Sequence, residues 1–194
     1  GALELRFLTW LYWHAAINTN AKLKSDPAVA KALDGVDTRE LLKSMPIKKG
    51  LTPLALAPSY ERRAFDMLTR GDYDELWKDP SINFELHWDR FADVPAVFSS
   101  SWYDSYTRAN LESYVGLSER NKGPYRLLMG SWLHGDLTMS DAASGEVDLG
   151  PEAPINYNEA RLRWFDRWLK EIRTGVDDDM PVRIFVMGGG DGRR

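Results

Sequence analysis

The chain of 194 residues contains no cysteine. This absence excludes disulfide bonds, zinc sites with cysteine ligands, iron–sulfur clusters and a cysteine nucleophile. Only three histidines are present, His14, His87 and His134, and they show no metal-binding spacing such as H-E-x-x-H. The sequence therefore predicts no metal centre.

Long apolar runs and an excess of basic residues are also missing. The most apolar stretch, FLTWLYWHAAI at residues 7–17, is too short to span a membrane. The formal net charge is −4, whereas a general nucleic-acid binder needs a basic surface. We therefore expect neither a membrane nor a nucleic acid as a partner.

The composition is that of a protein with a folded hydrophobic core, since 43% of the residues are hydrophobic and the chain contains 8 Trp, 8 Tyr and 7 Phe. The first 90 residues read as short helices joined by polar turns. Apolar spacing predicts a helix over residues 3–20, and Asp26 and Asp37 precede two further segments as N-caps. Two more helices are predicted over residues 60–68 and 72–78.

The pattern changes after Asp93, where apolar runs begin to alternate with helical segments. Residues 94–100 and 125–130 predict two buried parallel strands. Residues 181–187 predict one further strand. The first two strands are separated by a helix whose inner face is predicted to hold Thr107, Leu111, Tyr114 and Val115. A second helix is predicted over residues 159–173, with its inner stripe formed by Leu162, Phe165, Leu169 and Ile172. This alternation predicts an α/β fold with a parallel sheet, and we expect further sheet strands upstream.

Asp104 and His134 are the residues best placed for chemistry. Each follows the carboxyl end of a predicted buried strand, which is the sheet edge where ligand sites form in open α/β folds. An aspartate that orients a histidine acting as general base makes two-thirds of a nucleophilic triad. The same residue types also occur as structural caps at strand ends, so spacing alone leaves both interpretations open.

The nucleophile that such a triad requires is not evident in the sequence. The elbow motif G-x-S-x-G is absent, and the nearest string, Gly116-Leu117-Ser118, lies at the end of a predicted helix instead of a strand-to-helix turn. Ser99, Ser100 and Ser101 belong to the same strand as Asp104 and are too close to it in sequence to occupy the nucleophile position.

Four motifs, in order along the chain, resemble the cocaine-esterase-like (CocE/NonD) hydrolases, which are related to X-Pro dipeptidyl aminopeptidases. Residues 101–106 (SWYDSY) resemble their G-W-Y-D-x-[FY] segment, and residues 128–134 (LMGSWLH) resemble their G-P-W-x-H segment. Residues 158–169 resemble their F-F-D-x-W-L helix, and residues 181–188 their P-V-R-x-F-V-M-G strand. Ser101 stands where these proteins usually have glycine, and Ser131 where they usually have proline.

This resemblance implies a partial α/β-hydrolase fold in an internal fragment of a serine hydrolase. Residues 1–90 would form a helical cap, residues 91–176 the C-terminal part of the catalytic domain, and residues 177–194 the first strand of a jelly-roll-like β domain. Asp104 would be the triad acid and His134 the triad base, with the nucleophilic serine upstream of Gly1 and the fragment alone inactive. No cofactor or metal is implied.

The resemblance implies a small-molecule ester, amide or peptide substrate, and it leaves a homo-oligomer of the parent enzyme open. Two alternatives follow from the same residues. One is an exopeptidase of the X-Pro dipeptidyl type, which differs in releasing a dipeptide with proline in second position. The other is a non-catalytic binding module that retains a hydrolase remnant.

Overall fold

A computed structural model describes residues 10–11, 25–120, 123–135 and 138–188 of the chain. The chain divides into two compact units, Gly1–Asp74 and Glu75–Arg194. Trp10 and Leu11 are helical, and the remainder of the helix predicted over residues 3–20 lies outside the described residues. The predicted domain boundaries at residues 90 and 176 stay predictions.

The first unit is built from short helices, as the sequence predicts. Its described helices and one 3-10 turn are α1 (Pro27–Asp34), α2 (Thr38–Lys43), the turn Pro53–Leu56 and α3 (Pro58–Thr69). Their apolar faces enclose a small core formed by Leu11, Leu33, Leu54, Ala57 and Ala64.

Both predicted aspartate caps are present. Asp26 Oδ1 accepts hydrogen bonds from the backbone N–H groups of Ala28 (3.0 Å) and Val29 (3.3 Å) at the start of α1. Asp37 does the same for Arg39 and Glu40 in α2. Each carboxylate satisfies N–H groups that have no partner inside their helix and complements the positive end of the helix dipole.

Replacing Asp26 with alanine is expected to lower the free energy of unfolding of the first unit by about 1 kcal/mol, because α1 loses its cap while Leu33 must still be held in the core. Asp26→Asn is the matched control, since an asparagine oxygen caps equally well. Chemical denaturation of the three proteins measures the effect. Equal losses in both variants would contradict the capping role.

The second unit alternates strands and helices along the chain. Its elements are α4 (Glu75–Lys78), a 3-10 turn (Glu85–Arg90), β1 (Ala96–Tyr103), α5 (Thr107–Ser118), β2 (Tyr125–Leu133), β3 (Ala143–Ser144), β4 (Val147–Asp148), α6 (Tyr157–Lys170), a 3-10 turn (Val176–Asp178) and β5 (Val182–Ile184). The main sheet has the order β1-β2-β5, and both of its strand pairs are parallel. The prediction of a mixed α/β fold with a parallel sheet is therefore confirmed.

The third strand of the main sheet is β5. Val182–Ile184 pairs in parallel with residues 127–129 of β2, in the segment that the resemblance assigns to the start of a β domain. Main-chain hydrogen bonds from Leu127 to Pro181 and from Phe185 to Met129 extend this pairing at both ends. The strand therefore continues the sheet of the α/β unit, and the β domain itself stays a prediction.

The core of the second unit lies between the sheet and the helices. Its buried members are Phe98, Leu117, Tyr125, Leu127 and Met129. Leu111 and Tyr114 of α5 pack against them, as predicted. Val115, which was predicted to share that face, is 50% exposed, and Leu117 is fully buried in its stead.

The predicted inner stripe of α6 is wrong. Among the described residues Leu162, Phe165 and Leu169 are each more than half exposed, and Ile172 follows the end of the helix. Trp164, on another face of α6, is buried and contacts the Trp168 ring at 5.7 Å. Apolar residues occupy more than one face of this helix, so periodicity alone does not decide which face the fold covers.

Candidate active site

Asp104 is held by the turn that connects β1 to α5. Its backbone N–H donates to Ser101 O (3.3 Å), and its side-chain Oδ1 accepts a hydrogen bond from the backbone N–H of Tyr106 (2.8 Å). Thr107 Oγ1 donates to the Asp104 carbonyl (2.6 Å) as α5 begins. These contacts fix the orientation of the carboxylate and leave Oδ2 free to face the neighbouring strand end.

His134 lies directly beside this carboxylate. The register pairs Tyr103 with Leu133, so the next residue of each strand emerges at the same edge of the sheet. His134 Nδ1 is 3.0 Å from Asp104 Oδ2, across 30 residues of sequence. The Asp104 side chain is 10% exposed and that of His134 is 51% exposed. The pair therefore combines a shielded acid with an imidazole that faces solvent.

The direction of this hydrogen bond decides what the histidine can do. A carboxylate only accepts, so Nδ1 donates its proton to Asp104, and the neutral imidazole keeps a lone pair on Nε2. An imidazole held in this tautomer can take a proton at Nε2 while the carboxylate stabilises the resulting positive charge. The structure thus brings together the two residues that the sequence singled out, and their catalytic roles stay predictions.

Two aromatic residues support this edge, and sequence reasoning had given neither a role there. The Tyr106 ring lies 5.3 Å from the His134 ring, centroid to centroid, at an interplanar angle of 53°. Trp102 Nε1 donates to the carbonyl of Phe185 (2.6 Å), which follows β5. The position of Tyr106, two residues after Asp104 in the same turn, is the signal that could have identified it.

The remaining chemical candidates do not join the site. Gly116, Leu117 and Ser118 lie within α5, as the sequence predicts for an ordinary helix end. His87 belongs to the 3-10 turn Glu85–Arg90, and His14 lies outside the described residues.

The described residues form neither a metal site nor a membrane-spanning helix. Within the part of the chain that the structure describes, no group of three or more ligating side chains could hold a metal ion. No described helix is long and apolar enough to cross a membrane.

Comparison with known proteins gives one family. A model of the X-Pro dipeptidyl-peptidase (S15) family matches residues 5–136, more than half of the chain, and the matched range includes Asp104 and His134. No curated protein matches the chain. The motifs at residues 158–169 and 181–188 lie outside the matched range.

Proposed function

Because this chain belongs to the X-Pro dipeptidyl-peptidase (S15) family of serine peptidases and hydrolases, we propose that Asp104 and His134 are the acid and base of a Ser-His-Asp triad. The proposed triad cleaves acyl esters, amides or peptides. The observation that carries the proposal is the 3.0 Å contact between His134 Nδ1 and Asp104 Oδ2 at adjoining strand ends. The half-exposed imidazole agrees with a base that must reach a substrate.

In the proposed reaction His134 Nε2 accepts the proton of a serine hydroxyl while the serine oxygen attacks the carbonyl carbon. The imidazolium then protonates the leaving alcohol or amine, and the bond between it and the acyl carbon breaks. A water molecule then attacks the acyl-enzyme while His134 Nε2 accepts one of its protons. The imidazolium returns this proton to the serine oxygen as the bond between that oxygen and the acyl carbon breaks, which releases the acid and the free serine. Asp104 holds the Nδ1–H tautomer throughout and stabilises the imidazolium.

The nucleophile is proposed to come from sequence that precedes residue 1. No G-x-S-x-G elbow occurs in the 194 residues, and the serines near Asp104 belong to its own strand. In α/β-hydrolases the elbow precedes the acid and the base along the chain, which agrees with the order Asp104 then His134. A reading frame that lacks such a serine upstream would contradict the triad and favour the binding module.

The family model favours a peptide substrate with proline in second position over a simple ester. We expect the intact enzyme to release a dipeptide from an X-Pro anilide and to react with a fluorophosphonate probe. Residues 1–194 expressed alone should do neither, because the nucleophile is missing. A p-nitrophenyl ester assayed in parallel separates esterase from peptidase activity. Covalent labelling of residues 1–194 alone would contradict the proposed place of the nucleophile.

A further inference from the structure

Hydroxyl groups bind three consecutive carbonyls at the carboxyl end of β2, immediately before His134. The donors come from β3, from β1 and from the turn that follows β2. Ser144 Oγ donates to Ser131 O and Ser101 Oγ donates to Trp132 O. Thr138 Oγ1 shares its single proton between Leu133 O (3.1 Å) and Gly135 O (2.9 Å). We call the three donors Ser101, Thr138 and Ser144 the hydroxyl collar.

An irregularity of the sheet explains why the first two hydroxyls are needed. Ser101 pairs with Gly130 and Tyr103 with Leu133, so two residues of β2 lie opposite the single residue Trp102. On the other side of β2, the pairing with β5 ends at Met129. Bulged residues lose regular ladder bonds, and Ser131 and Trp132 are only 2% and 3% exposed. Their buried carbonyls require partners, and the hydroxyls supply them.

Ser101 connects this bulge to the acid. Its hydroxyl binds the β2 backbone two residues before His134, while its own carbonyl accepts a hydrogen bond from the Asp104 backbone N–H. Thr107 Oγ1 lies 2.5 Å from the same carbonyl and shares its single proton between it and the Asp104 carbonyl. Ser101 is completely buried, so these contacts are shielded from water. One residue therefore ties the end of the strand that carries His134 to the turn that carries Asp104.

We propose that the hydroxyl collar consists of positioning residues, which set the distance between His134 and Asp104 by fixing the bulged end of β2. This inference rests on the proposed function for its catalytic meaning, but the geometry that it concerns can be measured without turnover. Ser101 is the member with the largest expected effect, because it alone spans both strand ends.

The test is proton NMR of the imidazole N–H groups in residues 1–194. The chain has only three histidines, so the His134 Nδ1–H resonance is assigned by its loss in His134→Gln. In Ser101→Ala we expect the solvent exchange of this proton to become about tenfold faster, as the loss of one buried hydrogen bond implies. Ser100→Ala is the matched control, because Ser100 is equally buried in the same strand and its hydroxyl has no partner among the described residues.

A second pair of variants keeps the test decisive if Ser101→Ala unfolds. Thr138→Val removes the third hydroxyl without changing the side-chain volume much, and Thr138→Ser restores it. We expect faster exchange in Thr138→Val and recovery in Thr138→Ser. Unchanged exchange in Ser101→Ala, an equal change in Ser100→Ala, or no recovery in Thr138→Ser would each overturn the proposal.

The same variants in the intact enzyme separate this inference from the proposed function. A positioning role predicts that Ser101→Ala lowers kcat and leaves KM unchanged. If the intact enzyme hydrolyses no substrate, the triad proposal fails while the resonance still tests the collar. If the solvent exchange of the His134 Nδ1–H proton does not change in Ser101→Ala, the proposal of a hydroxyl collar fails, whichever substrate the enzyme hydrolyses.

Discussion

Replacing His134 with alanine in the intact enzyme is expected to reduce kcat by roughly 10⁴-fold or more, because the proposed reaction loses the base that accepts the serine proton. The expected loss for Asp104→Asn is of similar size. KM should change little in either variant, since neither residue is assigned to substrate binding. Steady-state kinetics with the substrate that the intact enzyme prefers measures both effects.

The local geometry explains why Asp104→Asn should prevent His134 from acting as the base. Oδ1 accepts from the Tyr106 backbone N–H, so an asparagine would keep its oxygen there and turn its NH₂ group toward His134. Nδ1 would then have to accept instead of donate, which places the proton on Nε2. An imidazole in that tautomer cannot take the serine proton. The fold should be retained, because the asparagine preserves both hydrogen bonds.

His87→Gln is the control for removing a histidine, because His87 lies in the 3-10 turn Glu85–Arg90 and takes no part in the proposed reaction. It should retain wild-type kcat. Circular dichroism and thermal melting establish whether each variant is folded. Near-normal turnover in a folded His134→Ala or Asp104→Asn protein would remove that residue from the proposed triad.

The contact between Asp104 and His134 could be anticipated from the sequence because it follows from the topology. Two short apolar runs separated by a helix imply neighbouring parallel strands, and parallel strands bring their carboxyl ends to one edge. The N-caps Asp26 and Asp37 could also be predicted from the sequence, since capping depends on only three or four consecutive residues. Features that depend on short-range chemistry or on simple topology can thus be inferred from a single sequence.

The hydroxyl collar could not be anticipated, because it depends on a register irregularity that no local pattern encodes. From the sequence alone, Ser101 is a rejected nucleophile and a departure from a motif of the resembling hydrolases, and Ser131 is only such a departure. The structure shows that the Ser101 hydroxyl and the Ser131 carbonyl take part in neighbouring hydrogen bonds at the bulge. The buried face of α6 was missed for a related reason, since Trp164 and the predicted stripe are both apolar and only the packing partners distinguish them.

Gly130 is the residue whose change should cost the most stability at this edge. A Cβ at position 130 would overlap the six-membered ring of the Trp132 indole. Trp132 is 3% exposed, so its ring has little room to move. A glycine inside a strand marks such close approaches. We expect Gly130→Ala to lower the free energy of unfolding by about 2 to 3 kcal/mol.

Chemical denaturation of residues 1–194 measures this loss. Gly71→Ala is the control, because no described atom beyond the two adjoining residues lies within 4 Å of a Cβ at Gly71. A double-mutant cycle with Trp132→Leu tests the cause, since a smaller side chain should relieve the overlap and make the double variant more stable than the sum of the single losses predicts. Strictly additive losses would show that the overlap is not the cause.

Because the Trp132 carbonyl also accepts the Ser101 hydrogen bond two residues before His134, Gly130→Ala should accelerate exchange of the His134 Nδ1–H proton as well. Destabilisation without that acceleration would mean that the indole supports the core but not the site.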